Sequence, residues 1–143
     1  MTTCVVDASV AAKWLLPAAG EDLRDEANHL LERYVGRDLQ LLAPDLIEPE
    51  IGNVLWKAVR RNRISAANAE NSLRRFTELS IPVVPSADLL VRSLQISVTC
   101  DRRFYDSLYV ALALSTRTEL VTADERLASA LGSRFPVRWL GAL

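Results

Sequence analysis

A chain of 143 residues and 15.9 kDa, half of them hydrophobic, holds the material for one globular domain with a full core and too little for two. Its formal net charge of -1 and pI near 5.8 exclude a uniformly basic nucleic-acid coat, while a local basic rim beside an acidic pocket stays open. Cys4 and Cys100 form no CxxC pair and the single His29 lies in a charged stretch, which excludes a zinc ribbon, a disulfide framework and any mechanism needing two histidines. No signal peptide precedes the first strand and no apolar run approaches the ~18 residues that span a bilayer, so a soluble cytoplasmic protein is expected.

The elements alternate along the chain. Thr3-Cys4-Val5-Val6 reads as a buried strand that runs into Asp7, and residues 9–16 as a short helix stopped by Pro17, which removes a backbone donor. Residues 21–34 place Leu23, Ala27, Leu30, Leu31 and Tyr34 on one stripe of an amphipathic helix, with Gly36 as its stop. A short strand over 39–43 is followed by Pro44, expected in a first helical turn, and by a helix whose core face is Ile47, Ile51, Val54, Leu55 and Ala58. Ser65 caps a helix to Leu79. Residues 81–84 then read as an edge strand because Pro82 is poorly tolerated in an interior one. Residues 86–98 and 103–115 are expected to be helical, 119–122 a strand, 124–131 a helix and 137–140 a last short strand. Strands separated by helices need crossover connections. The fold class is therefore α/β: a single domain with a mostly parallel central sheet of four to five short strands, covered by helices on both faces.

Four acidic residues stand out in this frame. Asp7 follows one strand and Asp124 lies just past another, so both reach the same crevice if those strands are neighbours. Glu50 borders the Ile51/Val54/Leu55 face and shares its side of the helix with Asn53, three residues on. Asp106 is the only charge in the apolar run from Phe104 to Leu114, where a lone carboxylate is costly. Each has a plainer reading. Asp7 or Ser9 can cap the first helix, and Thr122 with Glu125 has capping-box spacing that would leave Asp124 as a first-turn acid. Together the four imply more: carboxylates ~5 Å apart repel by roughly 3 kcal/mol per pair at an effective dielectric near 20, unless cations neutralise them. Oxygen ligands without His or Cys select hard ions, Mg²⁺ or Mn²⁺, and such ions activate water and stabilise charge on a phosphodiester.

Val6-Asp7-Ala8-Ser9-Val10 with Lys13-Trp14, Pro49-Glu50-Ile51-Gly52-Asn53-Val54-Leu55, Tyr105-Asp106-Ser107-Leu108-Tyr109-Val110-Ala111-Leu112-Ala113 and Val121-Thr122-Ala123-Asp124-Glu125-Arg126-Leu127 resemble, in order, the motifs of PIN-domain ribonucleases. The likeness is greatest to the VapC-type toxins of type II toxin–antitoxin pairs. Gly52 departs from it modestly, standing where alanine is usual. The resemblance implies a Mg²⁺- or Mn²⁺-dependent endoribonuclease acting on cellular RNA, a homodimer, and a cognate antitoxin protein that blocks the site. Carried over by position, Asp7, Glu50, Asp106 and Asp124 are the catalytic acidic quartet; we expect Asp7 and Asp106 to hold the principal metal, Asp124 to complete that site or part of a second one, and Glu50 to position or deprotonate the attacking water. Ser9 and Thr122 would supply hydroxyls, and Asn53 would orient Glu50.

RNA also needs positive charge nearby. Arg102 and Arg103 precede Asp106 closely enough to flank it, Lys13 lies one turn past Ser9, and Lys57, Arg60, Arg61 and Arg63 form a second group. Two rivals are set beside the nuclease. A haloacid-dehalogenase-like phosphohydrolase would want an acid where Ser9 stands; a catalytically silent PIN-like domain that binds RNA or protein would not retain all four acids.

Overall fold

The computed structural model describes residues 1–143. β1 (Thr2–Val6) lies at the centre of the sheet, with Val5 and Val6 fully buried, as β-branched side chains packed on both faces require. After it come α1 (Ala8–Leu15), α2 (Arg24–Val35), β2 (Leu39–Pro44), α3 (Ile47–Arg60), α4 (Ala66–Glu78) and β3 (Val83–Val84). α5 (Leu90–Cys100), α6 (Phe104–Thr116), β4 (Glu119–Thr122), α7 (Glu125–Leu131) and β5 (Val137–Trp139) complete the chain. The sheet has the order β3-β2-β1-β4-β5 and every neighbouring pair is parallel.

That order fixes where a ligand can go. The chain leaves β1 toward β2 and β3, then returns to β4 on the other side, so the crevice between the carboxyl ends of β1 and β4 is the topological switch point. α6 packs against β1, β2 and β4, and Ser107 to Ala113 along it are all buried. A helix apolar nearly all round is buried nearly all round, and this one carries Asp106 at its exposed first turn. No helix is long and apolar enough to cross a membrane.

Several boundaries differ from expectation for local reasons. α2 starts at Arg24, not at 21, because Glu21 and Asp22 turn back to Lys13 and Leu23 takes a left-handed conformation with φ 54°. Pro44 ends β2 and does not open a helix; α3 begins three residues later. Residues 86–98 are not one helix. A 3₁₀ turn over Ser86–Leu89 comes first, tied down by the Ser86 N–H donating to Asp45 Oδ1 at 3.0 Å, and α5 follows. The edge strand shortens to Val83–Val84, the Pro82 carbonyl still accepting from the Ala43 N–H at 3.2 Å.

Candidate active site

Asp7 is the buried centre of the crevice. Its Oδ1 accepts from the backbone N–H groups of Ser9 (3.1 Å) and Val10 (3.3 Å), which makes it the N-cap of α1, and from the Ser9 hydroxyl (2.5 Å). Its Oδ2 accepts from the Thr122 hydroxyl at 2.5 Å, a bond between the ends of β1 and β4. The same hydroxyls are anchored in turn: Ser9 Oγ accepts from the Ala123 N–H at 2.9 Å and Thr122 Oγ1 from the Asp124 N–H at 3.1 Å. Burial pushes the Asp7 pKa up to about 6 in spite of these bonds, and the Asp106 charge adds to the rise.

Asp106 is the electrostatic hub. Half-buried at the start of α6, it has its pKa raised first by burial and then by the Asp124 charge, while Arg103 and Arg102 oppose the rise. Glu50, from the first turn of α3, is raised by burial and by Asp106. Asp124 is exposed, and its Oδ1 caps α7 by accepting from the N–H groups of Arg126 (3.1 Å) and Leu127 (3.2 Å). The capping box read from Thr122 and Glu125 is thus replaced by Asp124 itself, with Thr122 turned to Asp7. The four acids come from the ends of β1 and β4 and the first turns of α3 and α6. Mutual repulsion through Asp106 links them.

The hydroxyl that meets Glu50 belongs to Tyr109. Its OH donates to Glu50 Oε1 at 2.5 Å, and the ring is only 2% exposed. Tyr109 lies three residues past Asp106 on α6, so one helix presents the acid and the phenol together. Asn53, expected to orient Glu50, is exposed and makes no side-chain hydrogen bond; three-residue spacing put the two side by side without making them bond. Sequence reading missed Tyr109 because a tyrosine amid Leu, Val and Ala reads as core. The signal was its polar tip, which a buried tyrosine has to satisfy.

Lys13 also departs from expectation. Its Nζ donates to Glu21 Oε2 (3.1 Å) and Asp22 Oδ1 (3.0 Å), the residue is 6% exposed, and Arg63 closes the network onto Glu21 Oε1 at 3.2 Å. An ammonium so engaged fastens the α1–α2 loop and offers nothing to a phosphate. Arg102 and Arg103, by contrast, line a wholly polar cavity with Asp106 and Asp124.

A hard divalent cation fits this donor set. The four acids offer carboxylate oxygens with no His or Cys among them, Asp7 Oδ2 accepts only one hydrogen bond, and Asp124 Oδ2 accepts none. No three of the chain's His, Cys, Asp and Glu side chains close into a tight shell. Mg²⁺ does not need one: it keeps several waters and is held through one or two carboxylates plus substrate phosphate.

The model of the PIN domain matches residues 4–131. The chain is 34% identical over 135 residues to Ribonuclease VapC1 of Mycobacterium tuberculosis, covering 92% of this chain and 93% of that one. It is 32% identical over 126 residues to Ribonuclease VapC3 of Pyrobaculum aerophilum, covering 87% and 91%. Among solved structures, PAE2754 from Pyrobaculum aerophilum superposes with a TM-score of 0.67 at 26% identity, over 99% of this chain and 92% of that one. A toxin–antitoxin complex from Klebsiella pneumoniae shares the fold, with a TM-score of 0.63 at 17% identity over 94% and 95%.

Proposed function

Because this chain belongs to the PIN-domain family and aligns along most of its length with VapC ribonucleases, we propose that it is the endoribonuclease toxin of a toxin–antitoxin pair, cutting cellular RNA in the cytoplasm. The observation that carries the reading is the bond from Thr122 to Asp7. It closes the switch-point crevice over a buried carboxylate whose charge the fold resists and a cation would relieve.

Asp7, Asp106 and Asp124 would hold Mg²⁺ or Mn²⁺. A divalent ion so bound supplies positive charge for the phosphodiester and a water acidic enough to attack it. Glu50 would position the attacking water and take its proton as the new P–O bond forms, while the old P–O bond breaks and the departing ester oxygen takes up a proton from solvent. Tyr109 occupies one oxygen of Glu50, which leaves the other to face the water. Ser9 and Thr122 hold Asp7 in register. Cleavage of labelled RNA by the purified chain in Mg²⁺, lost in EDTA and lost in Asp106→Asn with the fold retained, is the expected result. Loss of a ligand should exceed the roughly 10- to 100-fold typical of groups one step further from a metal. Cleavage that persists in EDTA overturns the metal assignment.

The partners are RNA, a cognate antitoxin and a second copy of this chain. For the last, Leu90, Val91, Leu94 and Val98 stand exposed within one sector of about 100° on α5, Val91 at 73% and Val98 at 77%. A helix with four bare aliphatic side chains on one face and one charge, Arg92, is suited to pack against its own copy. Sedimentation of Leu94→Glu tests this: a monomer is expected, and a dimer as stable as the unsubstituted one would remove α5 from the interface.

A further inference from the structure

Resting on that reading of the site, we propose that the cavity beside Asp106 and Asp124 is a phosphate subsite, in which Arg102, Arg103 and Arg126 hold a phosphodiester flanking the one that is cut. The cavity, about 430 Å³, is lined by Asp101, Arg102, Arg103, Asp106, Asp124 and Arg126, with no apolar side chain among them. Arg126, in the first turn of α7, lines this cavity together with Arg102 and Arg103 of the α5–α6 turn.

The three guanidiniums are unspent. None of them takes part in any of the chain's six ion pairs or makes a side-chain hydrogen bond, although three carboxylates border the same space. Arg102 Nε is buried with no partner at all. A buried N–H without an acceptor is unfavourable, and an anion in the cavity offers what these residues lack. Several other arginines are engaged, Arg63 with Glu21, Arg138 with Glu119, and Arg60 over the Trp56 ring at 4.8 Å; Arg37, Arg61, Arg92 and Arg117 are also unpaired, but none of them shares a cavity with Asp106 and Asp124. The second basic group, Lys57 to Arg63 at the end of α3, does not line the cavity with Asp106 and Asp124 and makes a weaker claim on RNA.

Charge and position agree. Five carboxylates, the four catalytic acids and Asp101, against three guanidiniums leave two negative charges in excess, and one bound divalent ion cancels them, which removes the repulsion a nucleic-acid strand would otherwise meet. Asp7 and Glu50 do not line the cavity, whereas Asp106 and Asp124 form its wall on the side of the acid cluster. A phosphate seated among the arginines is thus displaced along the strand from the one the acids address. It contributes grip and register without reading sequence.

The test is fluorescence anisotropy with a labelled single-stranded RNA, in a Glu50→Gln background with Mg²⁺ present so that the strand is held and not cut. Arg126→Ala and Arg103→Ala are each expected to weaken binding about fivefold to tenfold and to flatten the dependence of log K on log salt by about 0.7, one phosphate contact. Arg126→Lys should restore part of the loss, and Arg60→Ala should change neither quantity. Melting curves check that the surface variants fold. Unchanged affinity in Arg126→Ala and Arg103→Ala, or an equal loss in Arg60→Ala, overturns the subsite while leaving the nuclease standing. A Glu50→Gln chain that binds no RNA, together with an unsubstituted chain that cuts none, overturns both.

Discussion

Asp7 is where the fold and the chemistry pull against each other, and the conflict has a pH signature. A carboxyl held near 6 in the folded chain and near its ordinary 3.8 when unfolded binds its proton more tightly in the fold. Between those values the folded state holds more protons than the unfolded one, so stability falls as pH rises. Above pH 6 the metal-free protein carries a penalty of about 3 kcal/mol, each tenfold difference in proton affinity between the two states costing about 1.4 kcal/mol. For a domain of this size that is worth roughly 9 °C in Tm. The assay is thermal unfolding in EDTA from pH 4 to pH 8, for the unsubstituted chain and for Asp7→Asn. Asparagine keeps the cap and the shape and cannot ionise, so the Tm difference between the two chains should grow in favour of Asp7→Asn by about that amount across the window. Carboxylates remote from Asp7 titrate in both chains and cancel, and Asp106, whose charge acts on Asp7, adds only a smaller difference. Mg²⁺ at pH 7.5 should recover most of the loss in the unsubstituted chain and much less in Asp7→Asn. A difference that stays constant with pH would refute the claim that burial holds this carboxyl up.

Three further outcomes follow from the same geometry. Tyr109→Phe should leave Tm nearly unchanged and RNA KM within a few fold, but lower kcat by about 10- to 100-fold, the worth of a hydrogen bond to a charged group; without that donor the Glu50 pKa rises further, so the acid limb of the pH–rate profile moves up, and steady-state kinetics across pH read both effects. Lys13→Ala should destabilise the fold by about 2 kcal/mol in denaturant titration, less than a fully buried pair because Asp22 is exposed and Arg63 still serves Glu21, while RNA affinity in anisotropy stays the same. Gly52→Ala should stabilise by about 0.5–1 kcal/mol in the same titration with cleavage retained, since a Cβ there meets nothing within 4 Å and the helix gains a better former.

The alternation of strands and helices was legible because period and punctuation repeat locally, and all five strands and seven helices were read in their order. The strand order was not written in any one segment, yet it is what makes Asp7 and Thr122 neighbours across 115 positions. Residues that act through long-range bonds were the ones lost. Tyr109 looks apolar until Glu50 comes beside it, and Lys13 looks free until the loop beyond Pro17 returns Glu21 and Asp22 to it. The same return shortened the helix expected over 21–34: two acids that suit a first helical turn are drawn out of it by a buried ammonium. Local propensity lost to an ion pair that only tertiary structure brings together.

Cap and metal ligand look like rival roles for Asp7 and Asp124, but a carboxylate has two oxygens and about four lone-pair positions. In both residues one oxygen, Oδ1, takes the two backbone N–H bonds of the helix that follows, and Oδ2 is left toward the crevice with one hydrogen bond in Asp7 and none in Asp124. Backbone donors thus fix the orientation of each acid before any cation arrives, a preorganisation that a freely rotating side chain on a helix face would lack. It also dictates how the acids have to be probed. Alanine removes the cap with the ligand, and the loss of helix stability, about 1 kcal/mol at each cap, is then confounded with the loss of chemistry. Asparagine retains an oxygen for the backbone and withdraws only the charge, so a dead but fully folded Asp124→Asn would assign the defect to the crevice and not to α7.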